Sequence, residues 1–189
     1  GMRSDEILLN RGAAEPVAGS LNRPVGAAAA FNQVFVADSG NNRVLGFPDL
    51  TNGDSATVAQ RVLGQGDFSF RTRNRIEGRE LFLTSSAATG GGIAIDRKSA
   101  VPHLYIADTN NHRVLGYSDV RRVRSGATAD IVIGQLGKFR SLVNSPHNDS
   151  AEPNASGLFS PTDVAVDEDG NVWVADRCNS RVLRFPKPF

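Results

Sequence analysis

Apolar residues fall along this chain in short runs, and no stretch keeps the helical 3.6-residue spacing for long. One pattern returns three times: VFVADSGNNRVLGF at 34–47, LYIADTNNHRVLGY at 104–117 and VWVADRCNSRVLRF at 172–185. Each copy is two β-branched and aromatic runs on either side of a polar turn, too short for helices and suited to strands. Asp, Asn and Gly at the turn supply side-chain caps and tolerate left-handed backbone, so each copy predicts a β-hairpin. The Asp falls at 38, 108 and 176, spacings of 70 and 68 residues, which marks a repeat architecture.

The flanks repeat as well. Upstream of the hairpins lie VGAAAA at 25–30, GIAID at 92–96 and DVAVD at 163–167; downstream lie RVLGQ at 61–65 and DIVIGQ at 130–135. Each unit then reads as four strands, a to d, in an antiparallel meander: 24–65, 91–135, and an incomplete 161–185 that lacks strand d. Strand a is rich in Gly and Ala, as a crowded position near an axis requires. Strands a and b are apolar almost throughout rather than alternating, which suits sheets covered on both faces, like the stacked blades of a propeller. Asp5–Asn10 lines up with Asp130–Gln135, so residues 4–10 are expected to form a d strand without a blade of its own.

The VADxxNxRV hairpin, preceded by a GVAVDxxGN-like run, resembles the NHL repeat, with Asp163 to Arg181 (DVAVDEDGNVWVADRCNSR) the nearest copy. The VLGQ and VIGQ segments look like those of bacterial NHL propellers with long inserts between blades. This resemblance implies an all-β, six-bladed propeller, of which three four-stranded blades in this chain make half a ring. The family includes RNA-binding, protein-binding and lyase members, so the fold does not choose the function.

Charge is nearly balanced, 21 basic against 20 acidic residues, so nothing draws the whole molecule toward nucleic acid. The basic clusters Arg71, Arg73, Arg75, Arg79 and Arg121, Arg122, Arg124 fall on d–a and c–d connections, which lie on opposite faces of a meander; nucleic-acid binding is not expected. No apolar run is long enough to span a membrane as a helix. Cys178 is the single cysteine, which excludes an internal disulfide or a Cys-based zinc knuckle. Gly1-Met2 reads as a tag remnant, which leaves the compartment open, extracytoplasmic included.

Asp38, Asn41 and Arg43 recur as Asp108, Asn111, Arg113 and as Asp176, Asn179, Arg181. A catalytic group is needed once, whereas these stand in every unit; they are read as a structural turn motif in which Asp accepts backbone N–H groups and Arg bridges outward. Cys178 reads as a tolerated turn residue. His103, His112 and His147 do not converge on one point, so no metal and no cofactor are expected. Asp167-Glu168-Asp169-Gly170 lacks the further ligands of a calcium loop and reads as a tight turn.

The inserts 66–90 and 136–160 carry the functional expectation. Connections of 25 residues are uncommon in compact domains and tend to be functional or disordered. Matched Phe68 and Phe139, Asn74 and Asn144, and Leu81-Phe82 and Leu158-Phe159 argue for ordered loops over one face. A non-enzymatic recognition propeller is expected, binding a protein, peptide or glycan through Arg71, Asn74, Arg75, Asn144 and His147. The alternative is a metal-dependent lyase or hydrolase acting at the axis. Strand counting adds a homodimer that closes the ring by exchanging the N-terminal strand.

Overall fold

A computed structural model describes residues 8–48, 58–73, 78–86, 88–139, 143–144 and 152–189. The first sheet is β1 (Pro24–Ala30), β2 (Gln33–Asp38), β3 (Arg43–Phe47) and β4 (Arg61–Leu63). The second is β5 (Ile93–Ile95), β6 (Leu104–Asp108), β7 (Arg113–Tyr117) and β8 (Ile131–Ile133). The third has β9 (Pro161–Val166), β10 (Val172–Asp176) and β11 (Arg181–Phe185). Strand order follows chain order and every pairing is antiparallel, so each sheet is a meander, with four, four and three strands.

Each repeated hairpin folds the same way. The central strands close on an Asp–Arg cross-strand pair, Asp38↔Arg43, Asp108↔Arg113 and Asp176↔Arg181. One turn of 3-10 helix follows the Asp, and then a left-handed residue, Asn42, His112 or Ser180, with φ of 51°, 56° and 51°. That backbone explains the polar residues there, since β-branched side chains disfavour positive φ.

The sheets stack as blades. The inner strands β1, β5 and β9 lie side by side, and Gly92 N–H donates to Thr162 O across the second junction (3.1 Å). A Cβ on Gly92 would fall 2.4 Å from Asp163 Cα, so close approach near the axis requires glycine there. Between the first and second blades, Phe35, Val44 and Leu63 pack against Ile93, Leu104, Ile106 and Leu115. Between the second and third, Tyr105, Val114 and Ile133 pack against Val164, Val172 and Val174. The d–a inserts join these cores through buried Leu81 and Leu158. Phe139 lies partly packed on the first of these cores and Phe68 on a smaller cluster around Leu45.

The described end of the segment 4–10 is a turn where a strand was expected. Residues 1–7 lie outside the described residues; Leu8 is extended, and Leu9–Gly12 is a 3-10 turn with Asn10 and Arg11 at positive φ. Asn10 N–H donates to Leu21 O as Asn144 N–H does to Leu158 O, and each asparagine side chain pairs with a hairpin asparagine. Asn10 is therefore the counterpart of Asn144 inside an insert, and not of the Gln135 end of a d strand. The expected alignment followed apolar pattern alone, which both segments share.

Candidate functional site

The hairpin triads are clamps. In each, Asp accepts through one oxygen from the Asn and Arg of its own turn: Asp38 Oδ2 from Asn41 (2.9 Å) and Arg43 Nε (2.7 Å), with 2.8 and 2.7 Å at Asp108 and 2.8 and 2.8 Å at Asp176. The other oxygen accepts a backbone N–H where the incoming insert ends, at Asn22, Phe82 and Phe159. The guanidinium then holds insert carbonyls: Arg43 those of Val17, Ser20 and Phe68, Arg113 that of Glu80 and Arg181 that of Gly157. Asp38, Arg43, Asp108 and Arg113 are fully buried. These bonds tie each hairpin turn to the chain that packs on it, and in the first two blades the Asp–Arg pair is fully enclosed.

The turn residue that follows extends the clamp to the next blade. Asn42 Oδ1 accepts from Leu83 N–H (2.9 Å) and His112 Nδ1 accepts from Ser160 N–H (3.1 Å), two equivalent positions. His112 thus has a structural partner, and Phe159 packs edge-on against it. Burial lowers its pKa, with Asp176 opposing in part. His103 lies elsewhere, stacked on Phe189 at 4.3 Å with Nδ1 2.7 Å from Ser118 O. His147 lies outside the described residues.

The expected binding surface is only partly assembled. Asn74 and Arg75 lie outside the described residues, with His147. Asn144 is not on a surface: it is fully buried, and Asn179 Nδ2 donates to its Oδ1 at 2.7 Å. The same clamp recurs at buried Asn10, whose Oδ1 accepts from Asn41 Nδ2, because a buried amide is retained for its hydrogen bonds. Arg71 is exposed and pairs with Glu15 at 3.7 Å. Phe70 and Arg73, absent from the expected set, stand beside it. Phe70 is half exposed, and the Arg73 guanidinium lies 5.0 Å from the centroid of the Phe82 ring. The backbone under these side chains is pinned: Phe68 O accepts from Arg43, Arg71 O from Asn42 and Thr72 O from Gln65. The carbonyls point in and the side chains point out.

On the opposite edge, a cavity of about 670 Å³ is lined by Tyr117, Asp119, Arg121, Arg122, Arg124 and Asp130. Its charges are largely spent locally. Arg121 grips Asp119 with two bonds (2.9 and 3.0 Å) and holds that carboxyl below the ordinary carboxylate range, and Arg122 approaches the same group at 3.6 Å. The Asp167 turn closes on itself. Its carboxylate accepts from Trp173 Nε1, Asn171 and the Asp169 backbone, which holds its pKa down to about 2. Cys178 is exposed in its turn.

The NHL repeat profile matches residues 160–185, the third blade. No curated protein matches the chain in sequence. Among solved structures, an auxiliary nutrient binding protein from Bacteroides thetaiotaomicron superposes with a TM-score of 0.55 at 10% identity over 81% of this chain. Its counterpart from Bacteroides ovatus gives a TM-score of 0.49 at 13% identity over 81% of this chain. The chain spans 34% of the length of either protein. With the same hairpin and clamp repeated in all three sheets, the chain has the β-propeller fold, and its third blade matches the NHL repeat.

Proposed function

We propose that this chain is a non-enzymatic recognition propeller that holds a protein, peptide or glycan on the face carrying its inserts. The observation that carries this reading is the outward set Phe70, Arg71 and Arg73 on a backbone whose carbonyls are held by buried hairpin residues. Aromatic and Arg side chains dominate binding energy at interfaces, and pinning their backbone beforehand reduces the entropy lost on association. A binding role also agrees with the auxiliary nutrient binding protein from Bacteroides thetaiotaomicron, which shares the fold.

The test is a screen on peptide and glycan arrays, followed by titration of the best binder against the wild type and a Phe70→Ala, Arg71→Ala, Arg73→Ala triple variant. A loss of affinity of at least about tenfold is expected, equivalent to roughly 1.4 kcal/mol. Unchanged affinity in a folded variant would remove this surface. Turnover of any arrayed compound, abolished by a chelator, would replace the reading with a metal-dependent enzyme.

A further inference from the structure

The connection between β7 and β8 is fixed to two blades at once. Within its own blade, Val120 N–H donates to Pro102 O (2.9 Å) and Asp130 N–H to Gly116 O (2.8 Å). Toward the first blade, Gly126 N–H donates to Val62 O (2.9 Å), and Val62 N–H donates back to Ser125 Oγ (3.1 Å). Arg61 Nη1 adds a bond to Val120 O at 3.2 Å. Beneath the connection, Val120, Val123 and Ala129 are buried in the core between the first and second blades. These anchors hold it in place beside the cavity of about 670 Å³, which is therefore preformed and of the size of small-molecule sites.

The lining of this cavity has an aliphatic part and a charged part. Val101, Val123 and Ala127 supply the first, and Tyr117 lies under the floor, only 1% exposed. No aromatic face is open for stacking, and no Asn or Gln stands among the lining residues, so the cavity does not suit a base or a sugar. In the charged part, three arginines line the space with two aspartates, which leaves one positive charge in excess. Arg121 bonds both oxygens of Asp119, and Arg122 is left 3.6 Å from the same group, too far for a hydrogen bond, with its side chain 88% exposed. The Arg124 side chain is exposed and has no partner among the described residues. Asp130 accepts Ser118 N–H at 2.7 Å. Buried Val123 between them seats Arg122 and Arg124 at the rim.

We propose that this cavity binds a small aliphatic monocarboxylate, its chain on Val101, Val123 and Ala127 and its carboxylate between Arg122 and Arg124. The guanidinium fork matches a planar carboxylate, and its charge-assisted hydrogen bonds are stronger than neutral ones. A single excess charge suits a monoanion. A phosphate or a dicarboxylate would bring a second negative charge toward Asp130, and like charges at close range repel. The cavity lies on the edge opposite the outward set Phe70, Arg71 and Arg73, so this site stands or falls independently of what the insert surface binds.

The test is nuclear magnetic resonance of the isotope-labelled chain titrated with decanoate and, separately, with decanol. Decanoate should shift the backbone amides of residues 118–130. Decanol, with the same chain and no charge, should bind at least about tenfold more weakly, the loss expected when a hydrogen bond to a charged group is removed. Arg124→Gln should lower decanoate affinity by about tenfold while leaving the circular dichroism unchanged, since the side chain is exposed. Should that variant misfold, Val101→Asp, which sets a negative charge on an exposed wall, is expected to have the same effect. No decanoate shift at 118–130, decanol binding as tightly as decanoate, or wild-type affinity in the folded variant would overturn the proposal.

Discussion

At the residue scale the repeated unit is an Asp–Arg ion pair, fully buried in the first two blades and bonded to backbone on both sides. Removing charges from water costs several kcal/mol per ion, and Coulomb attraction offsets that only when the remaining donors and acceptors are satisfied. The hairpin meets this condition by giving Asp a backbone N–H and giving Arg the carbonyls of an insert. Truncating one partner is then the damaging change. Asp108→Ala, which strands a fully buried Arg113, is expected to cost about 3–5 kcal/mol in urea unfolding. Asp176→Ala should cost roughly half as much, because the Arg181 side chain is 22% exposed and water can take up part of its charge. Equal losses at the two sites would show that burial does not set the energy of the pair.

At the element scale the turn residue of one blade holds the end of the next insert, and in the second blade that residue can titrate. His112 accepts from Ser160 N–H through Nδ1, so protonation would place a donor against a donor. Its folded pKa lies below the ordinary 6.5, from burial first, with Asp176 opposing. Above that ordinary value both states carry a neutral ring and the group contributes no pH dependence. As pH falls below it, the unfolded chain takes up the proton first and stability declines, levelling only below the depressed folded pKa. His112→Asn places an uncharged acceptor like Asn42 at the same left-handed position. The variant should flatten the fall in thermal midpoint between about pH 7 and 5, the window set by ordinary histidine titration. A slope unchanged from the wild type would assign it to other groups.

At the scale of the whole molecule the blades are joined by two seams of buried side chains, Phe35, Val44 and Leu63 against Leu104, Ile106 and Leu115, and Tyr105 and Val114 against Val164 and Val174. Leu115→Ala, in the first seam, is expected to cost about 2–5 kcal/mol, the transfer term of the lost side chain plus the cavity it leaves. Urea unfolding reads this directly, and an unchanged midpoint would show that the seam does not hold the blades together.

What the sequence determined by itself is what lies close together along the chain. The hairpins, their Asp–Asn–Arg triads and the left-handed turn residue all sit within fourteen residues, where strand pairing follows from turn length and β-branched runs. Repetition at 70 and 68 residues then gave the number of sheets and the missing fourth strand. The tertiary structure decided which face of each strand is covered and what the insert residues touch. Strands that are apolar on both sides show no alternation to mark a front or a rear, so the exposure of Trp173 and Val182 is invisible until the neighbouring blade is counted. Asn144 looked like a surface residue for the same reason: its partner Asn179 is 35 residues away, and only the folded chain brings the two amides together.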